Sequence, residues 1–188
     1  MTNLENNLHD FHVLLRARNR AMLLSTFEEG RVETDIISMA AKMENVNVYA
    51  YSVTSGLTKK EYVVHRGKPS IEEKDAQMMT PNKLIDYIDS ISKTPTDNKN
   101  DTSIFLIKDI HDLWSNPSVK RRIRDLLESP RKSKDNNGRF FPYTPLVFIS
   151  PLVEIPLELE RLVQIVDYKV PTREEVSNHL KGMENALE

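Results

Sequence analysis

The chain has 188 residues, long enough for one domain that buries a core without covalent staples. Apolar residues make up 39% and charged residues 29%, which excludes a disordered chain, and the formal charge of −2 sets up no global field selecting nucleic acid or an anionic membrane. With no cysteine, disulfides, thiol nucleophiles and Cys-based zinc or iron–sulfur sites are excluded, as suits a reducing compartment.

In chain order, Leu4, Leu8, Phe11 and Leu15 recur at helical spacing, and the helix they mark runs into Arg16-Ala17-Arg18-Asn19-Arg20, cations suited to a helix C-terminus. Ala21–Phe27 reads as a buried strand, Glu28-Glu29-Gly30-Arg31 as a turn, and Val32, Ile36, Ile37, Met39, Ala40 and Met43 as the marks of an amphipathic helix. Val46–Thr54 is a Val- and Tyr-rich strand. Glu61–His65 makes a short extra strand, and Arg66–Thr80 is polar and contains a proline. Thr80-Pro81 opens a helix with Leu84, Ile85, Ile88 and Ile91 inward. Ser92–Asp101 is a solvated loop. Ser103–Asp109 carries a run of four apolar residues, bounded by Asp101 and Asp109, and reads as a central strand buried on both faces. Asn116-Pro117 starts a helix with Val119, Ile123, Leu126 and Leu127 inward. Beyond a polar basic loop, Ser129–Tyr143, come a strand at Pro145–Ser150, a short helix at Pro156–Leu162, a strand at Gln164–Val170, and a last helix opened by the capping box Thr172-x-x-Glu175. Strands alternating with helices predict an α/β domain: a five-stranded, mainly parallel sheet with helices on both faces. No signal peptide and no stretch of the ~20 apolar residues of a membrane helix is present.

In such sheets ligands sit beyond the carboxyl ends of the strands. The five glycines rule out the usual phosphate cradle there: the closest two, Gly56 and Gly67, are eleven apart, so neither G-x-x-x-x-G-K-[ST] nor G-x-G-x-x-G can be written. After the first strand stand Glu28, Glu29, Gly30 and Arg31, whose two carboxylates repel a triphosphate. Lys108-Asp109-Ile110-His111 follows the most apolar strand, where nucleoside-triphosphate hydrolases place acids for magnesium and water, but no second carboxylate stands in register. His9 and His12, three apart, lack a third metal ligand, and His65 and His179 lie in polar contexts. Residues 116–139 hold eight Lys or Arg against three Asp or Glu, so a segment of +5 faces a remainder of −7. That segment suits an acidic partner, or nucleic acid with Phe140, Phe141 and Tyr143 as the nearest aromatics.

Three segments together carry a resemblance: Tyr49–Leu57, Ile104–His111, and Phe148-Ile149-Ser150-Pro151 running on to Ile155–Glu160. With Val166–Pro171, Arg173-Glu174-Glu175, Asn116-Pro117 and Arg122–Asp125, they resemble, in order over roughly residues 8–180, the N-terminal half of the AAA+ ATPases encoded as conserved reading frames in plastids and cyanobacteria, with bacterial and phage relatives. The resemblance implies a three-layer, AAA+-like module without a working Walker A motif, followed by a lid and a second, complete ATPase domain. It implies an N-terminal helix at residues 1–20, the degenerate domain at 21–171, and the start of a lid or linker helix at 172–188. The chain is then either an excised N-terminal domain or a stand-alone version. Glu28, Glu29, Gly30 and Arg31 would replace the phosphate loop, Lys108 and Asp109 would be relics of the Walker B strand end, and Ser150 would hold the sensor-like position. No catalytic or metal-binding residue is expected, and ATP and magnesium would belong to the downstream domain. The expected function is assembly, partner or substrate recruitment, or regulation, with Arg121, Arg122 and Arg124 projecting toward a partner, in a homo-oligomer of the cytoplasm or plastid stroma. The alternatives are a weak nucleotide hydrolase using Asp109 and a nucleic-acid-binding module using residues 116–139.

Overall fold

A computed structural model describes residues 8–169, apart from 66, 109, 131 and 132, together with 173, 176 and 177. Helix α1 (His9–Arg16) leads into β1 (Ala21–Ser25), α2 (Glu29–Ala40) and β2 (Val46–Ser52). Next come β3 (Gly56–His65), β4 (Lys68–Gln77), α3 (Pro81–Lys93) and β5 (Thr102–Ile107). Then follow α4 (Ile110–Trp114), α5 (Pro117–Glu128), β6 (Leu146–Ser150) and β7 (Gln164–Asp167).

The strands form one seven-stranded sheet in the order β4-β3-β2-β5-β6-β1-β7. The run β2-β5-β6-β1-β7 is parallel throughout, and these are the five strands the alternation predicts. The sheet is larger than five because residues 56–77 add an antiparallel hairpin to the β2 edge. His65 pairs with Lys68 across a two-residue turn whose Gly67 has φ +79°, the left-handed backbone that closes such hairpins. The polar composition of 68–77 is that of an edge strand: its charges meet opposite charges on β3, with Lys60–Glu73 and Lys74–Glu61 both at 2.5 Å, and its Pro69 sits where an edge tolerates a missing donor.

Successive side chains of the central parallel strands point to opposite faces and build two cores. Phe105 and Ile107 of β5, with Leu23 and Phe148, face α3, α4 and α5; Ile104 and Leu106, with Met22, Leu24 and Ile149, face α1 and α2. Every residue of β5 is buried, including Phe105 and Ile107, as an unbroken apolar run between two covered faces requires. Thr80 caps α3 by accepting from Lys83 N, and Asn116 caps α5 by accepting from the amides of Ser118 and Val119.

Four expectations are corrected. Glu29, Gly30 and Arg31 are the first turn of α2, not a turn before it. Residues 157–162 make successive turns instead of a helix: Leu159 N bonds Pro156 O, and Leu162 N and Val163 N both bond Leu159 O, so no sustained ladder forms. Ile110–Trp114 is an additional short helix. The solvated loop expected from Ser92 begins only after Lys93, Ser92 being a buried residue of α3, and loop 94–101 is joined to 133–141, where Thr96 and Phe140 exchange backbone hydrogen bonds of 2.7 and 2.9 Å. The capping box at Thr172–Glu175 lies outside the described residues.

Candidate functional site

The carboxyl edge of the parallel strands is where this architecture positions a ligand. β1 ends at Ser25 and α2 begins at Glu29, so only Thr26, Phe27 and Glu28 connect them. Thr26 N donates to Ser150 O at 3.1 Å, and its buried hydroxyl accepts from Glu28 N at 3.0 Å, folding the connection back on itself. Glu28 O accepts from the amides of Arg31 and Val32. Gly30 is an ordinary helical residue, and a Cβ there would meet no protein atom within 4 Å.

Side chains close the same place. The Glu28 carboxylate lies 2.5 Å from the Arg31 guanidinium. Arg31 also donates to Lys169 O at 2.6 Å and stacks over the Tyr168 ring at 4.5 Å. The Tyr168 hydroxyl bonds the Asp35 carboxylate, and burial, followed by that carboxylate, pushes the phenol well above its ordinary range. Helix α2 is thereby tied to the residues that follow β7.

Lys108, at the end of β5, does not point into open space. Its ammonium pairs with Glu33 of α2, whose other oxygen is 2.8 Å from Lys60 of β3. Burial pushes the Glu33 carboxyl up, but bonds to Lys108 and Lys60 outweigh it and leave the group below its ordinary range. Asp109 lies outside the described residues, as do the side chains of His111 and Asp112. The Ser150 hydroxyl is buried and accepts from Leu152 N at 3.1 Å.

The three arginines of α5 are not equivalent. Arg122 binds α3 through Asn82 O at 3.0 Å and through Asp86. Arg121 is exposed and Arg124 half-buried, and each pairs along the helix, with Asp125 and Glu128 respectively, at 3.0 Å. His65 bonds Glu72 across the hairpin at 2.8 Å, and among the described residues no group of three or more His, Asp or Glu is placed to hold a metal ion. No described helix is long and apolar enough to cross a membrane.

Glu33, Lys60 and Asp35 escape the motif reading because none belongs to a motif, and Tyr168 enters it only within the Val166–Pro171 segment, with no role of its own. Glu33 did carry a signal: it lies on the apolar stripe, three and four residues before Ile36 and Ile37, where a carboxylate needs a cation.

A parallel α/β core with helices on both faces is consistent with an AAA-type domain. Residues 7–168 match the SpoVK-like AAA ATPase N-terminal domain, and the chain belongs to that family. It is 26% identical over 179 residues to the "Uncharacterized AAA domain-containing protein ycf46" of Guillardia theta, a match covering 95% of this chain and 30% of that protein. It is 24% identical over 178 residues to the protein of the same name in Trieres chinensis, covering 93% of this chain and 30% of that relative. The chain thus spans about 30% of the length of these curated relatives, and the resemblance read from its strand ends is to the right family.

Proposed function

We propose that this chain is a non-catalytic, ATPase-like module that serves assembly, recruitment or regulation within an AAA ATPase. The observation that carries this reading is the three-residue connection between β1 and α2. A phosphate loop needs a longer, glycine-rich segment whose amides converge on the phosphates. Here the strand turns directly into a helix headed by two glutamates, and the lysine at the end of β5 already has a carboxylate partner. Hydrolysis of ATP, with its magnesium, belongs on this reading to another domain of the full-length protein, which assembles as a homo-oligomer in the cytoplasm or plastid stroma.

Calorimetric titration of the chain with magnesium–ATP tests the reading. No saturable heat up to millimolar nucleotide is expected. Saturable binding that disappears in Arg31→Ala or Lys108→Ala would show a working site at the carboxyl edge and overturn it.

A further inference from the structure

The opposite edge of the sheet carries a different constellation. The segments entering the adjacent strands β5, β6 and β1 converge at the amino ends of those strands, and Thr102 and Tyr143 form a bridge there. Between them lies a cavity of about 410 Å³, lined by Arg18, Arg20, Lys99, Phe140, Phe141 and Tyr143 among others. No carboxylate occurs among its described lining residues.

The cations have separate tasks. Arg20 holds the C-terminal carbonyls of α5, donating to Leu127 O and, at 2.7 Å, to Ser129 O. Arg18 is exposed, stacks over the buried Tyr143 ring at 5.5 Å and touches Lys99 O only at 3.5 Å, so much of its donor capacity faces the cavity. Lys99 is exposed on the facing loop, and Lys134 stands 4.6 Å from the Phe140 ring centroid. The rings of Phe140 and Phe141 are only half-buried.

The backbone adds an independent observation. Arg18 terminates α1 with φ +57°, the left-handed position that glycine or asparagine fills at least cost. An arginine there forgoes that saving, and its side chain is thereby carried over the aromatic wall.

Cations that meet phosphates, beside aromatic faces that accept bases, are the elements of single-strand recognition. A duplex keeps its bases stacked inside, away from recessed rings, whereas a single strand can offer one. We propose that this amino-edge cavity binds single-stranded nucleic acid, with Arg18 and Lys99 contacting the phosphodiester backbone and a base stacking on Phe140 or Phe141. The site uses neither the carboxyl edge nor the arginines of α5, so it stands or falls independently of the non-catalytic reading.

Fluorescence anisotropy of the full chain with labelled oligothymidylate and oligouridylate of about 15 nucleotides tests it, a length within the roughly 4–16 that an OB-fold single-strand site spans. Saturable, salt-weakened binding to one or both is expected, and their relative affinity assigns DNA or RNA. The exposed pair Arg18→Ala with Lys99→Ala should keep the melting temperature and weaken binding at least about tenfold. It should also lower the slope of log affinity on log salt by roughly 1.4, about 0.7 per lost phosphate contact. Phe141→Leu should weaken binding about tenfold without changing that slope; if it fails to fold, Phe140→Leu replaces it. The proposal is overturned by absent saturable binding at low salt or by wild-type affinity in the charge variant. Equal affinity for a duplex, or displacement by thymidine monophosphate at the oligonucleotide's own concentration, overturns it too.

Discussion

A carboxylate held between two ammonium groups, as Glu33 is between Lys60 and Lys108, behaves unlike an exposed surface acid. Its folded pKa is depressed below the ordinary 4.5, so it contributes stability that is complete above that value and is lost as pH falls through the lower folded one. Lys60 moves the other way: burial pushes its pKa down, but Glu33 and Glu73 outweigh that and raise it, so its share fades only as pH climbs through the raised value in the alkaline range. Glu33→Gln leaves two lysines facing a neutral amide, and we expect a loss of about 3 kcal/mol at neutral pH, as when one partner of a buried pair is removed. Urea denaturation at neutral pH and again below the ordinary carboxylate pKa checks this, because the difference between wild type and variant should shrink in acid. Gly56 offers a second test: with φ +71°, a Cβ there would sit 2.2 Å from Gln77 O. Gly56→Ala should therefore destabilise by more than about 1 kcal/mol, whereas Gly30→Ala, in open space at a helix start, should be neutral or stabilising.

Elements that bury a continuous stripe or begin on a cap were legible in the sequence. β5 centres on four consecutive apolar residues, Ile104–Ile107, between Asp101 and Asp109, and α3 and α5 open on Thr80-Pro81 and Asn116-Pro117, where Thr80 and Asn116 accept the amides a cap should. Thr80→Ala is expected to cost about 1 kcal/mol, read from the urea midpoint. The β3–β4 hairpin was only half legible. Its outer strand pairs its charges with those of β3 along an antiparallel ladder, and a run such as Glu72-Glu73-Lys74-Asp75 shows no period until its partner is known. The link between loops 94–101 and 133–141 was invisible for a similar reason, since its bonds join backbone atoms 44 positions apart, Thr96 and Phe140. At the candidate site, the glycine count announced the missing cradle, but not that α2 starts at Glu29 or that Glu33 satisfies Lys108. In amide exchange by NMR, Thr96 and Phe140 should be protected well beyond Asn98 and Gly138. Equal, fast exchange at all four would mean that the loops separate in solution.

At the scale of the whole molecule, a basic stretch of +5 stands against a remainder of −7, a separation that lets one copy's cationic surface attract another's acidic surface. Which cations take part follows from what each already does. Arg122 is committed to Asn82 and Asp86, fastening α5 to α3, so its removal loosens the fold and tests nothing about partners. Among the described residues, Arg121 and Arg124 pair with i,i+4 carboxylates near the surface, pairs worth about 0.3–0.5 kcal/mol, which an incoming acidic surface can displace at little cost. Arg121→Ala with Arg124→Ala should therefore leave the melting temperature of this chain within a few degrees of wild type. It should also weaken assembly or partner capture by the full-length protein, with the largest effect at low salt, because contacts of this kind are screened beyond a Debye length of ~8 Å at physiological ionic strength. Light scattering of the full-length protein across a salt series, with and without the double change, measures this. Assembly insensitive to both salt and the substitutions would reduce the stretch to a solvated helix face, and a drop in melting temperature would mean that the intrahelical pairs hold α5 in place.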